Sequence, residues 1–206
     1  LSEPGMAALR NGSITFASVA STPQYSLPQA VARVKTVYEI TNDQRLDPKG
    51  LDWYRVAYPD VAAVTGTPAY YVDLGLTSID TQPAAATEVF ADSTAAGDTN
   101  IAYVEGYRTG GYFRSLNVTM TGTTGISLGA AITDFVFLTK FYLSAAAVGS
   151  VTLQTTVAGG PVLATIPLGQ TYARYRRIAL VPTPAAAVTY TVDFEYDVQN
   201  MSIAND

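Results

Sequence analysis

The sequence contains no cysteine and no histidine, and these two absences exclude several classes of chemistry. Without cysteine the chain has no disulfide and no thiol nucleophile. Without histidine it lacks the usual base of a serine hydrolase and the usual nitrogen ligand of zinc. The phosphate-binding patterns G-x-G-x-x-G and G-x-x-x-x-G-K-[ST] are also missing. We therefore expect no catalytic residue, no cofactor and no enzymatic activity.

Charge is also scarce. Charged residues make up 14% of the 206 positions, against about 25% in an average soluble domain, while 48% are hydrophobic. A surface so poor in charge indicates that part of it is covered by another molecule. The net charge of -5 argues against a specific nucleic-acid surface, which would be basic. The most apolar stretch, 135–148, is too short for a membrane span and contains Lys140.

What the sequence does contain is a repeating pattern of turns and short strands. Glycine, proline, asparagine and aspartate recur between runs rich in valine, isoleucine, threonine, tyrosine and phenylalanine, which predicts an all-β fold. A helix fits only near 47–58, where Asp47 could cap it and Pro48 could occupy its first position. We expect two β-sandwich-like domains with at most this one short helix.

Two stretches of small and polar residues, 83–100 and 157–171, interrupt the strand pattern. We interpret them as the two crossings between a first domain and a second one inserted into it. The first domain would then be discontinuous and consist of 1–84 and 169–206. The inserted domain would comprise 85–168.

The chain resembles a known family in the order of three segments: QYSLPQAVARVKTVY (24–38), LDWYRVAYPDVAAVTGTPAYYVDLG (51–75) and RYRRIALVPTPAAAVTYTVDFEY (174–196). Tailed-bacteriophage head-to-tail connector and tail-adaptor proteins carry a Y-x-L-P strand, a Y-P…T-G-x-P-x-x-Y segment and a terminal P-T-P hairpin in this order. The segment 92–129, with its G-D-T and T-G-T-T turns, is similar to the immunoglobulin-like insert common in phage virion proteins.

The resemblance implies a structural virion protein, either a head-to-tail adaptor or a tail ring component, that is assembled in the cytoplasm of the bacterial host. Its implied partners are further copies of itself in a cyclic ring, the portal and other tail proteins. The family usually brings helices before the first strand and after the last, and this sequence shows neither. A virion decoration or baseplate protein therefore stays open as an alternative.

Two other classes of function were weighed against this one. A carbohydrate-binding β-sandwich module would use Trp53 and neighbouring tyrosines as a stacking platform. A glycosidase or lyase would need convergent carboxylates such as Asp52 and Asp60, and the scatter of acidic residues along the chain makes this the weakest reading.

The segment VTYTVDFEYDVQ (188–199) alternates strictly and places three carboxylates, those of Asp193, Glu195 and Asp197, on one face of a strand. Carboxylates at this spacing point the same way, so they do not converge as an acid/base pair. No D-x-D-x-D-G calcium loop is present either. We interpret the strip as a solvated or salt-bridged face and expect no metal.

The arginines before this strand provide candidate partners for the strip. An antiparallel hairpin that turns near Pro184 would bring Arg174 and Arg176 opposite Glu195 and Asp193. Arg177 would substitute if a bulge shifted the register.

The stretch DFVFLTKFYLS (134–144) has too many apolar residues for one face of a strand. Its odd positions suit the inner face of a sandwich: Phe135, Phe137, Phe141 and Leu143. The remaining apolar side chains would then point outward: Val136, Leu138 and Tyr142. We predict that these three form a subunit interface, with cover by a loop of the same chain as the alternative. Trp53 and Tyr54 are assigned either to the core or to an interface of the same kind.

Overall fold

A computed structural model describes residues 11–60, 63–130, 132–156 and 159–196. The all-β prediction is confirmed, since strands dominate these residues. The strands are β1 (Asn11–Ala17), β2 (Gln24–Leu27), β3 (Val31–Glu39), β4 (Gln44–Arg45), β5 (Asp47–Lys49), β6 (Thr65–Gly66), β7 (Tyr70–Thr77), β8 (Phe90–Ser93), β9 (Ile101–Arg108), β10 (Phe113–Thr119), β11 (Ile126–Ser127), β12 (Phe135–Leu143), β13 (Val151–Gln154), β14 (Val162–Ile166), β15 (Tyr175–Val181), β16 (Thr183–Pro184) and β17 (Thr189–Tyr196). Helix α1 (Leu51–Ala57) lies between β5 and β6.

The chain folds into two compact units. The first is built from the described parts of Leu1–Leu76 and Arg176–Asp206, and the second is Thr77–Tyr175. These boundaries lie outside the expected inserted segment, 85–168, at both ends. The reason is packing, because the fully buried Ile79 and the buried Ala173 both belong to the core of the second unit.

The first unit contains two four-stranded sheets, with the strand orders β1-β17-β3-β4 and β2-β15-β7-β5, and a short parallel pair formed by β16 and β6. The two larger sheets share one core. Val37, Tyr190 and Val192 enter it from the first sheet, and Leu27 and Ile178 enter it from the second. These two sheets pack face to face around this core, which makes the unit a sandwich.

Strand β17 shows how a strict alternation of residues produces this packing. Tyr190, Val192 and Phe194 are buried in the core. Asp193 and Glu195, on the opposite parity, are only partly buried. The alternation predicted for this segment is confirmed for the described residues, because a period of two places successive side chains on opposite faces.

Helix α1 packs on the second sheet of the first unit. Tyr54 of the helix is buried together with Val72 of β7 and Ala179 of β15. The helix begins after Gly50, which makes no side-chain cap. Asp47 and Pro48 do not start the helix as expected, because both belong to β5, which pairs in parallel with β7.

The second unit is also a sandwich, of a three-stranded sheet in the order β10-β9-β12 and a four-stranded sheet in the order β11-β8-β13-β14. Buried side chains from both sheets meet in one core. Val104, Phe135 and Phe141 come from the three-stranded sheet, and Ala91 and Leu153 come from the four-stranded sheet. The other face of the three-stranded sheet, which lies away from this core, carries the candidate site.

Candidate assembly surface

Strand β12 does not keep a simple alternation along its length. Its antiparallel pairing with β9 shifts twice, between Phe135 and Phe137 and again between Leu138 and Lys140. Each shift places one extra residue on β12, Val136 in the first case and Thr139 in the second. An extra residue reverses the side on which the following side chains lie. The two bulges therefore decide which residues of β12 face the core.

This register corrects two sequence-based assignments. Leu138, predicted to point outward, is 1% exposed and belongs to the core of the second unit. Phe137, predicted to point into the core, is 45% exposed. Val136 is exposed and Tyr142 is half-buried, so their part in an interface stays a prediction. The alternation argument failed because it assumed a strand without bulges.

The exposed ring of Phe137 belongs to a row of aromatic side chains that crosses all three strands. Tyr107 of β9 lies directly opposite Phe113 of β10 and Phe137 of β12. The ring centroid of Tyr107 is 5.4 Å from that of Phe113 and 6.5 Å from that of Phe137. All three side chains are exposed. Phe113 and Phe137 have no polar atom to hydrogen-bond with water, so their exposure marks a surface suited to contact.

An ion pair lies next to this aromatic row on the same face. Lys140 of β12 is opposite Glu105 of β9, and its Nζ is 3.1 Å from Glu105 Oε2. The side chain of Lys140 is 63% exposed, whereas that of Glu105 is 17% exposed. One positive and one negative charge thus occupy the middle of the face, which is locally neutral.

A stacked pair of tyrosines follows beyond the ion pair. Tyr103 of β9 and Tyr142 of β12 lie opposite each other, with ring centroids 4.8 Å apart and ring planes only 5° apart. The hydroxyl of Tyr142 donates a hydrogen bond of 3.4 Å to Glu105 Oε1. Burial, and then the neighbouring Glu105 carboxylate, raise the pKa of Tyr142 above its usual value. Tyr142 is therefore a neutral donor at physiological pH.

These side chains together are called the outer face below, and they are Tyr103, Glu105, Tyr107, Phe113, Phe137, Lys140 and Tyr142. Of these residues, the sequence pattern places only Tyr142 on the outer side of its strand, and it places Phe137 on the wrong side. The sequence signal for Tyr103, Glu105 and Tyr107 lies in IAYVEGYR (101–108), where alternation places these three side chains on the same face of β9.

The aromatic cluster of the first unit is packed rather than exposed. Tyr54 is buried in a core, which contradicts its assignment to an interface and agrees with the core alternative. The ring of Trp53 lies 5.2 Å from that of Tyr70 and 5.5 Å from that of Tyr58. Lys49 Nζ lies 5.7 Å from the centre of the Trp53 ring. Trp53 is therefore engaged by neighbours on more than one side, which leaves little of its ring for stacking on a sugar.

The predicted hairpin does not form, because its two strands lie in different sheets. Strand β15 pairs with β2 in one sheet of the first unit, whereas β17 pairs with β1 and β3 in the other. Arg176 contacts Asp73, with Nη1 2.5 Å from Oδ2. Arg174 precedes β15 and lies 5.7 Å from the ring centre of Tyr172. Strands β15 and β17 thus belong to different sheets and are not the two arms of a hairpin.

The carboxylates of β17 find partners on neighbouring strands of their own sheet. Lys35 Nζ lies 3.3 Å from Glu195 Oε1. The Thr36 hydroxyl donates a hydrogen bond of 2.7 Å to Asp193 Oδ2. Asp197 lies outside the described residues. The described part of the strip therefore makes a salt bridge and a hydrogen bond with β3.

Besides the outer face, the described residues contain a cavity beside β12 but no cluster suited to a metal ion. A shallow cavity of about 360 Å³ beside β12 is lined by Ser78, Lys140, Phe141, Tyr142, Leu143, Thr171 and Tyr172, and none of these is a carboxylate. Within the described ranges no three acidic side chains come together as metal ligands. No helix in the described part of the chain is both long and apolar enough to cross a bilayer.

Comparison of the chain with protein-family models, with curated proteins and with solved structures finds no significant match.

Proposed function

We propose that this chain is a structural virion protein of a tailed bacteriophage, a head-to-tail adaptor or tail ring component, that acts by oligomeric assembly. The observation that supports assembly is the outer face, where Tyr107, Phe113 and Phe137 expose a row of aromatic rings across three strands. The virion role is supported by the resemblance of the segments 24–38, 51–75 and 174–196 to connector proteins. The proposal includes no catalytic activity.

The chemistry of the outer face favours a protein partner. Protein interfaces are enriched in tyrosine and phenylalanine, which bring a large contact area at a small cost in conformational entropy. Burial of apolar surface contributes about 25 cal/mol per Å² removed from water. The three exposed rings are held in place by their contacts with one another, so little further ordering is needed on binding.

The proposed partners are further copies of the chain in a cyclic ring, the portal and other tail proteins. A decoration or baseplate protein would use the same kind of assembly surface, and it stays the alternative within the virion. The outer face also supports one candidate from a different class, a carbohydrate-binding module, because exposed tyrosine rings stack on sugars.

The test is the assembly state of the purified chain. We expect analytical ultracentrifugation to show oligomers whose share grows with concentration, and electron microscopy to show rings, alone or on a candidate portal. The proposal is wrong if the chain stays monomeric at the highest attainable concentration and does not bind the portal. Glycan-array binding by such a monomer would support the carbohydrate-binding module instead.

A further inference from the structure

We propose that the outer face docks on the same face of a second copy of this chain, about a two-fold axis that runs parallel to the strands between β9 and β12. The inference rests on the proposed assembly role, for which it names the partner of one surface. A two-fold contact uses the same patch on both subunits and therefore joins copies in pairs. Closure of a ring would need a separate, heterologous contact.

The first step of the argument is that the outer face is arranged in levels. Each level places one residue of β9 directly opposite one residue of β12. The levels are Tyr107 with Phe137, Glu105 with Lys140, and Tyr103 with Tyr142. The two end levels are thus aromatic pairs, and the central level carries opposite charges.

The second step is the effect of the two-fold rotation on these levels. Rotation about an axis along the strands keeps each level at its height and exchanges its two columns. Glu105 of one copy then lies opposite Lys140 of the other, and Tyr107 of one copy lies opposite Phe137 of the other. The same rotation sets Tyr103 against Tyr142. Opposite charges and aromatic rings of β9 and β12 therefore meet their complements at every level, whereas Phe113 of β10 lies outside the two exchanged columns.

The third step is that the ion pair selects this axis. An axis in the plane of the face but perpendicular to the strands, through the level of the ion pair, would keep the two columns in place. Glu105 would then face Glu105 of the second copy, and Lys140 would face Lys140. Like charges brought together in an interface are strongly unfavourable. The charge arrangement is thus complementary about the axis along the strands and repulsive about the perpendicular one.

The exposure of the two charges suits a contact of this kind. Lys140 is mostly exposed and its ammonium group can reach a carboxylate on a second sheet, while Glu105 already accepts contacts from Lys140 and Tyr142. A second lysine would complete a network of four alternating charges without leaving an unpaired charge buried. This matters because a buried charge without a partner is strongly unfavourable.

The test reverses one charge of the Glu105–Lys140 ion pair in each of two variants. Lys140→Glu leaves two negative charges at the central level, and Glu105→Lys leaves two positive charges there. Each variant alone would repel itself across the two-fold contact. We therefore expect either substitution to halve the weight-average mass seen in sedimentation. A 1:1 mixture of the two variants would place opposite charges across every contact, and we expect the mass of the native assembly to return.

The control variant is Lys35→Glu, which reverses the exposed lysine of another strand ion pair, that with Glu195 in the first unit. It should leave the mass unchanged. Thermal melting of each variant shows whether it is folded. Because Lys140 is exposed, Lys140→Glu is expected to fold even if Glu105→Lys does not. The sedimentation mass of Lys140→Glu by itself then tests the two-fold contact.

The outcomes separate the inference from the proposed function. If the native chain assembles and Lys140→Glu assembles equally well, the two-fold contact is wrong and the assembly role stands. If the folded single variants lose mass but their mixture does not regain it, the proposed axis is wrong. If the native chain does not assemble at all, the proposed function falls and the inference falls with it.

Discussion

Leu138 lies directly opposite Gly106 in the pairing of β12 with β9, and the missing side chain of the glycine provides the room that this register needs. A Cβ atom on Gly106 would lie 2.5 Å from the carbonyl oxygen of Phe137 and 3.0 Å from Cδ2 of Leu138. Real Cβ atoms do not approach a backbone oxygen so closely. Gly106 therefore permits the bulged strand that turns Leu138 inward and Phe137 outward.

The first prediction is that Gly106→Ala destabilises the second unit. The added methyl group would collide with backbone rather than with a mobile side chain, so β12 would have to move. Overpacking of this kind costs about 1–3 kcal/mol. Urea denaturation followed by circular dichroism measures the loss. The control is Gly97→Ala in the same unit, because a Cβ there meets no atom within 4 Å, and equal losses in both variants would contradict the explanation.

A second prediction concerns the burial of Leu138 itself. Leu138→Ala would remove a side chain that is fully enclosed by the core of the second unit, at a cost of about 2–5 kcal/mol in unfolding free energy. Val136→Ala would remove a neighbouring side chain that is exposed, and it should have little effect on stability. Denaturant titration of the two variants decides the register. Comparable losses would show that Val136 and Leu138 lie on the same side of β12, which would contradict the bulge at Val136.

The contrast between β12 and β17 shows how far the sequence predicts this fold. In β17 the strict alternation of apolar and polar residues is enough to assign Tyr190 to the core and Glu195 to the other face. In β12 both parities are apolar, so the sides depend on bulges. Those bulges depend in turn on Gly106, a residue of another strand. Local pattern cannot reveal a register that a distant glycine makes possible.

The predicted hairpin failed for a related reason. The segments of β15 and β17 are neighbours in the chain, and sequential strands often pair. Here β15 enters the sheet of β2 and β7, because Ile178 and Leu180 join the core from the side opposite to Tyr190. Which sheet a strand joins is set by contacts with residues far away in sequence. The aromatic row on the outer face could not be predicted from the sequence for the same reason, because its rings come from three separate strands.

The third prediction is that the second unit loses stability in acid through Asp98. This carboxylate is fully buried and accepts hydrogen bonds from Ser93 Oγ at 2.5 Å, from the Val148 amide at 2.7 Å and from the Gly149 amide at 2.9 Å. Burial by itself would raise the pKa of Asp98, but these three donors outweigh it and hold the pKa below its usual value of 3.8. The ionised form is therefore the one that the fold stabilises.

The sign of the pH effect follows from the lowered pKa. The contribution of Asp98 is fully present above the unfolded-state pKa and is lost as the pH falls through the lower pKa of the folded state. Asp98→Asn would present an amide group to backbone donors and should cost about 1–3 kcal/mol near neutral pH. The difference from the native chain should shrink as the pH is lowered below about 4.

Unfolding free energies from urea titrations at a series of pH values measure this convergence. Ser93→Ala removes one of the three donors and should give an intermediate acid dependence. A native chain and an Asp98→Asn variant with parallel pH profiles would show that the carboxylate is not held in its ionised form.

The last prediction compares two ion pairs of the first unit that differ in exposure. The side chains of Arg176 and Asp73 are 17% and 33% exposed, with atoms 2.5 Å apart, whereas those of Lys35 and Glu195 are 37% and 40% exposed, with atoms 3.3 Å apart. Asp73→Asn would leave the guanidinium of Arg176 largely buried beside a neutral group, and a buried charge that loses its partner is costly. We expect a loss of about 1–3 kcal/mol for Asp73→Asn and of less than about 1 kcal/mol for Glu195→Gln, because water solvates the exposed lysine that remains.

Urea denaturation followed by the fluorescence of Trp53, which lies in the same unit, measures both changes. A larger loss for Glu195→Gln than for Asp73→Asn would contradict the expectation that the less exposed ion pair contributes more to stability.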